Sequence, residues 1–138
     1  MPFIPLVIYA VAKYLAYSGW CALLPDAGER PWWRRGFGLG FVRLLIGVSV
    51  GAAVGFAGAH LTFASRMPLA FGVILLPIRW LEWNLVATIG LRLPLLPHFL
   101  ILGPTGKSRL WTAGGILVSF ATDVLAIVAL GSMRALVC

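Results

Sequence analysis

Four long apolar stretches are separated by short segments that contain proline, glycine and charged residues. A helix needs about 20 apolar residues to cross the hydrocarbon core of a bilayer. Four stretches reach that length, and they predict membrane-spanning helices at about residues 3–24, 37–61, 69–91 and 110–133. The pattern therefore predicts an all-α integral membrane protein, in which residues 1–138 form a single domain built as a four-helix transmembrane bundle.

The segment between the third and fourth predicted spans is apolar but rich in proline. It reads RLPLLPHFLILGPTGKSR, and Pro94, Pro97 and Pro104 interrupt every run that would be long enough to cross the membrane. We therefore interpret residues 92–109 as a proline-rich re-entrant or interfacial segment. A hairpin loop that rests on the membrane surface explains the pattern equally well.

The composition agrees with the membrane prediction and excludes several other classes of protein. Of the 138 residues, 61% are hydrophobic and only 11% are charged, whereas about a quarter of the residues of a soluble domain are charged. A soluble globular enzyme, a disordered tail and a disulfide scaffold are excluded. The formal net charge is +7, and we attribute it to membrane topology and to contacts with anionic lipid headgroups rather than to nucleic-acid binding.

Basic residues in the loops predict the orientation of the chain in the membrane. Six fall in the loops after the first and third predicted spans: Arg30, Arg34, Arg35, Arg92, Lys107 and Arg109. The opposite side has two, Arg66 and Arg134. Since cytoplasmic loops carry the excess of lysine and arginine, loops 1 and 3 are predicted to be cytoplasmic and both termini to lie outside. The residues expected to bind headgroup phosphates are Arg34, Arg35, Lys107 and Arg109.

Ionisable residues near the middle of the predicted spans are the strongest candidates for a functional site. They are Lys13 in the first span, Arg79 and Glu82 in the third, and Asp123 in the fourth. By helix rise all four lie within roughly 5 Å of the midplane, where a charge costs about 2.5–3.5 kcal/mol on insertion scales. Because two are positive and two are negative, their charges sum to zero, and we expect them to meet inside the bundle.

Residue spacing gives these charges neighbours on the same helix faces. Arg79 and Glu82 are three residues apart and share a face, with Trp83 beside them. Ser119 precedes Asp123 by four residues and lies on the same face of the fourth span. Ser119 and Trp83 are therefore included in the candidate binding site, although filling space in the bundle is the more common role for such a tryptophan.

The second span carries one basic residue and three glycines at a spacing of four. Arg43, Gly47, Gly51 and Gly55 fall on one face, and the glycines form a ridge of small residues that lets two helices approach closely. The partner of this ridge is either another helix of the same chain or a neighbouring copy. Arg43 lies nearer the inner leaflet, where its side chain can snorkel to phosphates or turn inward to the site.

Three hypotheses about function follow from these residues. The first is a small transport or ligand-binding protein that works as an oligomer, in which the two carboxylates take protons or cations while the two central cations hold anionic groups. The second is an accessory subunit of a larger membrane complex, and the third is a membrane-embedded enzyme that acts on a lipid or isoprenoid phosphate. A purely structural salt-bridge network is the alternative to all three. No metal or cofactor is expected, since the sequence has no Cys–His cluster and His60 and His98 fall near opposite membrane faces.

Overall fold

Five α-helices make up the part of the chain that the computed structural model describes. The described residues are 3–25, 28, 31–58 and 68–130, with side chains described at 7–25, 28, 31–53 and 75–125. In chain order the helices are α1 (Phe3–Ala22), α2 (Trp32–Gly58), α3 (Pro68–Gly90), α4 (Pro97–Leu102) and α5 (Gly106–Leu130). No residue in the described ranges forms a β-strand. The predicted all-α class is therefore confirmed.

The four long helices coincide with the predicted spans, but two of them begin earlier. α2 begins at Trp32 rather than at residue 37, and α5 begins at Gly106 rather than at residue 110. Within the described helices, the stretch Trp32–Ala53 of α2 is the one whose length and apolar composition suffice to cross a bilayer. The four-helix transmembrane bundle therefore stays a prediction.

Some of the sequence-based predictions concern residues that the structure does not describe. Outside the described residues lie the predicted span ends at 61 and 133, His60, and the basic residues Arg30, Arg66 and Arg134. The surroundings of Gly55 also lie outside the described side chains. The predicted positions of the two termini relative to the membrane are untested for the same reason.

Two hydroxyl side chains fix the early start of α5. The Ser108 backbone N–H donates to Thr105 Oγ1 at 3.1 Å, and the Thr105 N–H donates to Ser108 Oγ at 2.9 Å. This reciprocal pattern satisfies backbone donors that the first turn of a helix leaves without partners. The end of the proline-rich segment is therefore helical from Gly106 onward.

The middle of the proline-rich segment forms the short helix α4, which packs on α3. The Asn84 side-chain amide of α3 donates to the Leu100 carbonyl at 2.9 Å, and the Trp80 indole N–H donates to the Ile101 carbonyl at 2.7 Å. The last carbonyl groups of a helix have no partner within the helix. Side chains of α3 therefore satisfy two of the carbonyl groups at the end of α4.

Glycines near the start of α2 allow this helix to approach α1 closely. A Cβ atom added at Gly36 would lie 2.6 Å from the Ser18 carbonyl oxygen, and one added at Gly40 would lie 2.8 Å from the Ser18 backbone nitrogen. Helix backbones come this close only where a side chain is missing. By contrast, a Cβ atom at Gly47 would meet only Arg43 of its own helix, at 3.0 Å. The close contact between α1 and α2 therefore lies before the predicted ridge.

A reciprocal pair of indole hydrogen bonds joins α1 to α5. Trp20 Nε1 donates to the Trp111 carbonyl at 3.0 Å, and Trp111 Nε1 donates to the Trp20 carbonyl at 3.1 Å. At the same end of the bundle, α3 finishes at Gly90, against Leu24 after α1 and Leu39 of α2. The last turns of α1 and α3 and the first turns of α2 and α5 therefore share one end.

The bundle buries polar side chains and exposes large apolar ones. Among the described side chains, the buried set includes serines, threonines, an asparagine and five ionisable residues. On the outside of α5, Leu110, Leu117 and Leu125 are 79%, 70% and 67% exposed. Charged residues of soluble proteins are mostly exposed, and soluble monomers rarely carry large contiguous apolar patches. The distribution of side chains is therefore the reverse of that in a soluble domain.

Candidate functional site

The buried ionisable side chains come from all four long helices and separate into two groups. The aspartate cluster consists of Tyr9 and Lys13 from α1, Arg79 from α3 and Asp123 from α5. The glutamate pair consists of Arg43 from α2 and Glu82 from α3. Every charged member of the two groups is at most 7% exposed. These charges therefore interact with one another far more than with solvent.

In the aspartate cluster, two cations share the Asp123 carboxylate. Lys13 Nζ lies 2.7 Å from Oδ1, and Arg79 Nη2 lies 2.5 Å from Oδ2. The Tyr9 hydroxyl donates to Oδ1 at 2.8 Å and accepts a hydrogen bond from Lys13 Nζ at 2.7 Å. Each carboxylate oxygen therefore already accepts a charge-assisted hydrogen bond. The carboxylate charge of Asp123 is therefore already shared by an ammonium and a guanidinium group.

In the glutamate pair, Arg43 reaches from α2 into the bundle. Its Nη2 donates to Glu82 Oε2 at 2.6 Å. The guanidinium carbon lies 5.1 Å from the ring centroids of both Tyr17 and Trp83, a distance at which a cation is attracted to the face of an aromatic ring. Arg43 is only 1% exposed. The sequence allowed the Arg43 side chain either to snorkel to phosphates or to turn inward. In the structure it turns inward.

Two aromatic rings connect the groups. The Tyr17 ring centroid lies 5.8 Å from Lys13 Nζ and 5.1 Å from Arg43 Cζ, so it contacts a cation of each group. Trp83 meets Tyr17 edge to face, with 5.5 Å between the ring centroids, and its indole N–H donates to Ser119 Oγ at 3.1 Å. Trp83 and Ser119 are fully buried. The Trp83 and Ser119 side chains therefore pack between the aspartate cluster and the glutamate pair.

The structure brings together three of the four charges that were expected to meet. Lys13, Arg79 and Asp123 form one cluster, whereas Glu82 bonds to Arg43 instead. Arg79 and Glu82 are neighbours on α3, but their side chains reach different helices, α5 and α2 respectively. The three cations and two carboxylates that are buried have a formal charge of 3 − 2 = +1. The four charges that were expected to meet still sum to zero, and the excess of +1 comes from Arg43, which was not counted among them.

Two guanidinium groups of the site, those of Arg43 and Arg79, keep donors that no acceptor in the described part of the chain satisfies. The nitrogens concerned are Arg43 Nε, Arg43 Nη1 and Arg79 Nε, all buried. A buried donor without a partner costs about 1–3 kcal/mol. The site is therefore rich in hydrogen-bond donors and has fewer acceptors than these donors require.

The residues expected to bind headgroups lie at the end of the bundle where α2 and α5 begin. They are Arg34 and Arg35 in the first turn of α2, and Lys107 and Arg109 in the first turn of α5. Arg34, Lys107 and Arg109 are exposed. Arg35 differs, because its Nη2 donates to the Ala22 carbonyl at 2.6 Å and so satisfies the C-terminal end of α1.

A polar network between α3, α4 and α5 was not expected from the sequence. Asn84 is fully buried, donates to the Leu100 carbonyl at 2.9 Å and accepts from Thr112 Oγ1 at 2.9 Å. The Thr88 hydroxyl donates to the Asn84 backbone carbonyl at 2.8 Å. The signal that could have identified this network is a polar asparagine inside a predicted span, where polar groups need partners.

Neither a metal site nor a relative supplies a function. Among the described side chains, no three His, Cys, Asp or Glu residues come close enough together to hold a metal ion. Comparison of the chain with protein-family models, with curated proteins and with solved structures gave no match. The functional argument therefore depends on the chemistry of the buried charges.

Proposed function

We propose that this chain is an integral membrane protein whose four long helices cross the bilayer. Support comes from the reversed distribution of side chains, with charged residues buried between helices and large apolar residues outside. In lipid, side chains such as Leu110 and Leu117 need no protein cover, and helical backbone groups satisfy one another. In water the same apolar surface would favour aggregation.

In this proposal the basic end of the bundle faces the cytoplasm and both termini lie outside. The exposed Arg34, Lys107 and Arg109 lie together at that end, which fits the excess of basic residues in cytoplasmic loops and contact with anionic headgroups. The test is a single cysteine at position 106, introduced as Gly106→Cys in a background without the native cysteines. It should react with a membrane-impermeant maleimide only when the cytoplasmic face is accessible, and labelling of intact cells would contradict the orientation.

The proline-rich segment is re-entrant in this proposal. Trp80 and Asn84, which bind the Ile101 and Leu100 carbonyls, lie 90 − 80 = 10 and 90 − 84 = 6 residues before the end of α3 at Gly90. At 1.5 Å per residue, these positions are about 15 and 9 Å from that end. Backbone carbonyls at such depth in a membrane need protein donors, and the two side chains supply them.

The buried charges form the site at which the protein binds an ion or small solute and, as an oligomer, transports it. The observation that carries this function is the burial of five ionisable side chains from all four long helices. Charges within a membrane are costly to insert and characteristically mark ion and substrate pathways. Because four helices alone enclose little space, the proposal includes several copies of the chain around the conduction pathway.

Ion flux through the reconstituted protein tests this function. Liposomes that contain the purified protein are loaded with KCl, and the release of potassium and of chloride is followed with separate electrodes. We expect release above that of protein-free liposomes. Glu82→Gln should change it at least about tenfold, because it removes the negative charge that pairs with Arg43. Leu81→Ala, at an exposed side chain of the same helix, is the matched control and should leave the flux unchanged.

A purely structural role for the charges predicts a different result. If they only fix the helix register, liposomes with the wild-type protein release ions no faster than protein-free liposomes. Glu82→Gln would then lower the thermal stability of the protein without any flux to lose. That combination would reject the proposed function.

A further inference from the structure

Arg43 has hydrogen-bond donors that the described part of the chain does not use. Its Nη2 donates to Glu82 Oε2 at 2.6 Å, whereas Nε and Nη1 are buried without a hydrogen-bond partner. Tyr17 and Trp83 contact the guanidinium at cation–π distances. Such contacts use the charge of the group but leave its N–H donors without acceptors. The site therefore has donors for a further acceptor.

The surrounding charge favours an acceptor that carries one negative charge. The five buried ionisable residues have a formal charge of 3 − 2 = +1. Among the described side chains, the aspartate cluster has two cations for one carboxylate, whereas the glutamate pair has one of each. A surplus of buried positive charge favours the binding of an anion over that of a cation. One bound monovalent anion would cancel it.

Gly47 provides the approach to the unused donors. It lies one helical turn after Arg43 on α2, and a Cβ atom added there would be 3.0 Å from Arg43 Nη1. Gly47 is partly exposed, whereas Nη1 itself is buried. Because Gly47 has no Cβ atom, this is the side of the guanidinium group on which we expect an anion to approach.

We propose that a small monovalent anion, such as chloride, binds to the Nε and Nη1 groups of Arg43 beside Gly47. This inference rests on the proposed function and specifies the charge of the solute that the site takes. Binding supplies the acceptor that these donors lack within the described part of the chain, and it cancels the excess positive charge. The choice of an anion also agrees with the state of Asp123, because the oxygens of this carboxylate are already bonded to two cations.

Two glycine-to-alanine variants on the same helix test the proposed position of the anion. Gly47→Ala places a methyl group against Nη1, whereas Gly38→Ala places one where no atom lies within 4 Å. Chloride is titrated by calorimetry into each purified protein in gluconate buffer, and chloride and potassium release are measured from liposomes. We expect Gly47→Ala to weaken chloride binding at least about tenfold and Gly38→Ala to leave it unchanged.

Lys13→Met tests the role of the excess charge without altering Arg43. We expect it to weaken chloride binding at least about tenfold in protein whose circular dichroism still shows the folded helices. Equal chloride affinity in the wild type, Gly47→Ala and Lys13→Met would overturn the inference. Release of potassium without chloride would also overturn it and leave the proposed function standing, whereas release of neither ion would reject both.

Discussion

The aspartate cluster and the glutamate pair bury charge in different ways. In the aspartate cluster, one carboxylate accepts hydrogen bonds from two cations, so its oxygens are occupied and positive charge is in excess. In the glutamate pair, one carboxylate accepts from one guanidinium nitrogen, and two aromatic rings cover the rest of the cation. The first group has two cations for one carboxylate, and the second has one of each. The unused donors are one nitrogen of Arg79 in the first group and two nitrogens of Arg43 in the second, within the described part of the chain.

The difference shows that charge balance and hydrogen-bond balance are separate requirements for buried charges. Arg43 has a carboxylate partner and still keeps two buried nitrogens without acceptors in the described part of the chain. Asp123 has bonds to both of its oxygens, and two cations share its single negative charge. We expect the aspartate cluster to hold the helices together and the glutamate pair to accept a ligand. The predictions below test this division.

Asp123→Asn should have the largest effect on stability. It leaves Lys13 and Arg79 buried without a carboxylate, and removing one partner of a buried ion pair costs about 3–5 kcal/mol. Glu82→Gln is the matched change in the other group. It should cost about 2 kcal/mol, because glutamine still accepts the hydrogen bond from Arg43. The measurement is the free energy of unfolding during SDS titration of detergent-solubilised protein. Equal losses would refute the division.

Arg43→Met should have the next largest effect, and a second substitution should reverse it. The single change leaves the Glu82 carboxylate buried alone, at a cost of about 3 kcal/mol. The double variant Arg43→Met with Glu82→Met replaces the pair by apolar side chains of similar length, which is often close to neutral. The same SDS titration measures both proteins. A double variant no more stable than the single one would indicate that the pair has a structural role beyond charge compensation.

Lys13→Met should cost less than Asp123→Asn or Arg43→Met. Arg79 and Asp123 remain as a balanced pair, so the loss is that of hydrogen bonds to a charged group, about 2 kcal/mol. Thermal unfolding followed by circular dichroism ranks this variant against Asp123→Asn. If the Lys13→Met protein were as unstable as Asp123→Asn, the excess positive charge would not lower the stability of the wild-type protein.

Tyr9→Phe should have the smallest effect among these variants. It removes one hydroxyl that donates to Asp123 at 2.8 Å, while both ion pairs stay in place, so we expect a loss of about 1 kcal/mol. Tyr14→Phe is the control on the same helix, because the Tyr14 hydroxyl makes a longer, exposed bond of 3.3 Å to the Phe37 carbonyl. Equal losses of unfolding free energy in the two variants would show that Tyr9 contributes nothing specific to the aspartate cluster.

Periodicity and the cost of burying charge account for the part of the site that was predicted. The apolar stretches place four long helices close to their observed positions. The depth of Lys13, Arg79 and Asp123 in those stretches was enough to predict that the three side chains meet. The sign and depth of these three charges favour their meeting, because a buried charge needs a partner of opposite sign.

The partner of Glu82 was not predicted, because spacing along one helix does not specify which neighbouring helix a side chain faces. Arg43 had two possible positions, and the choice depended on Tyr17 and Trp83, which come from two other helices. The close contact at Gly36 was missed in a similar way, since its partner Ser18 belongs to a different helix. These features depend on the packing of helices, which no single segment encodes.

In each ion pair of the described side chains, the cation comes before its acid in the chain. Lys13 and Arg79 are synthesised before Asp123, and Arg43 before Glu82. If the helices cross the bilayer as we propose, a nascent hairpin of α1 and α2 enters the membrane before these carboxylate partners exist, at a cost of about 2.5–3.5 kcal/mol for each charge on insertion scales. Synthesis of α5 supplies the last of these carboxylates, Asp123. A chain that stops short of α5 should consequently be a preferred substrate for membrane proteases.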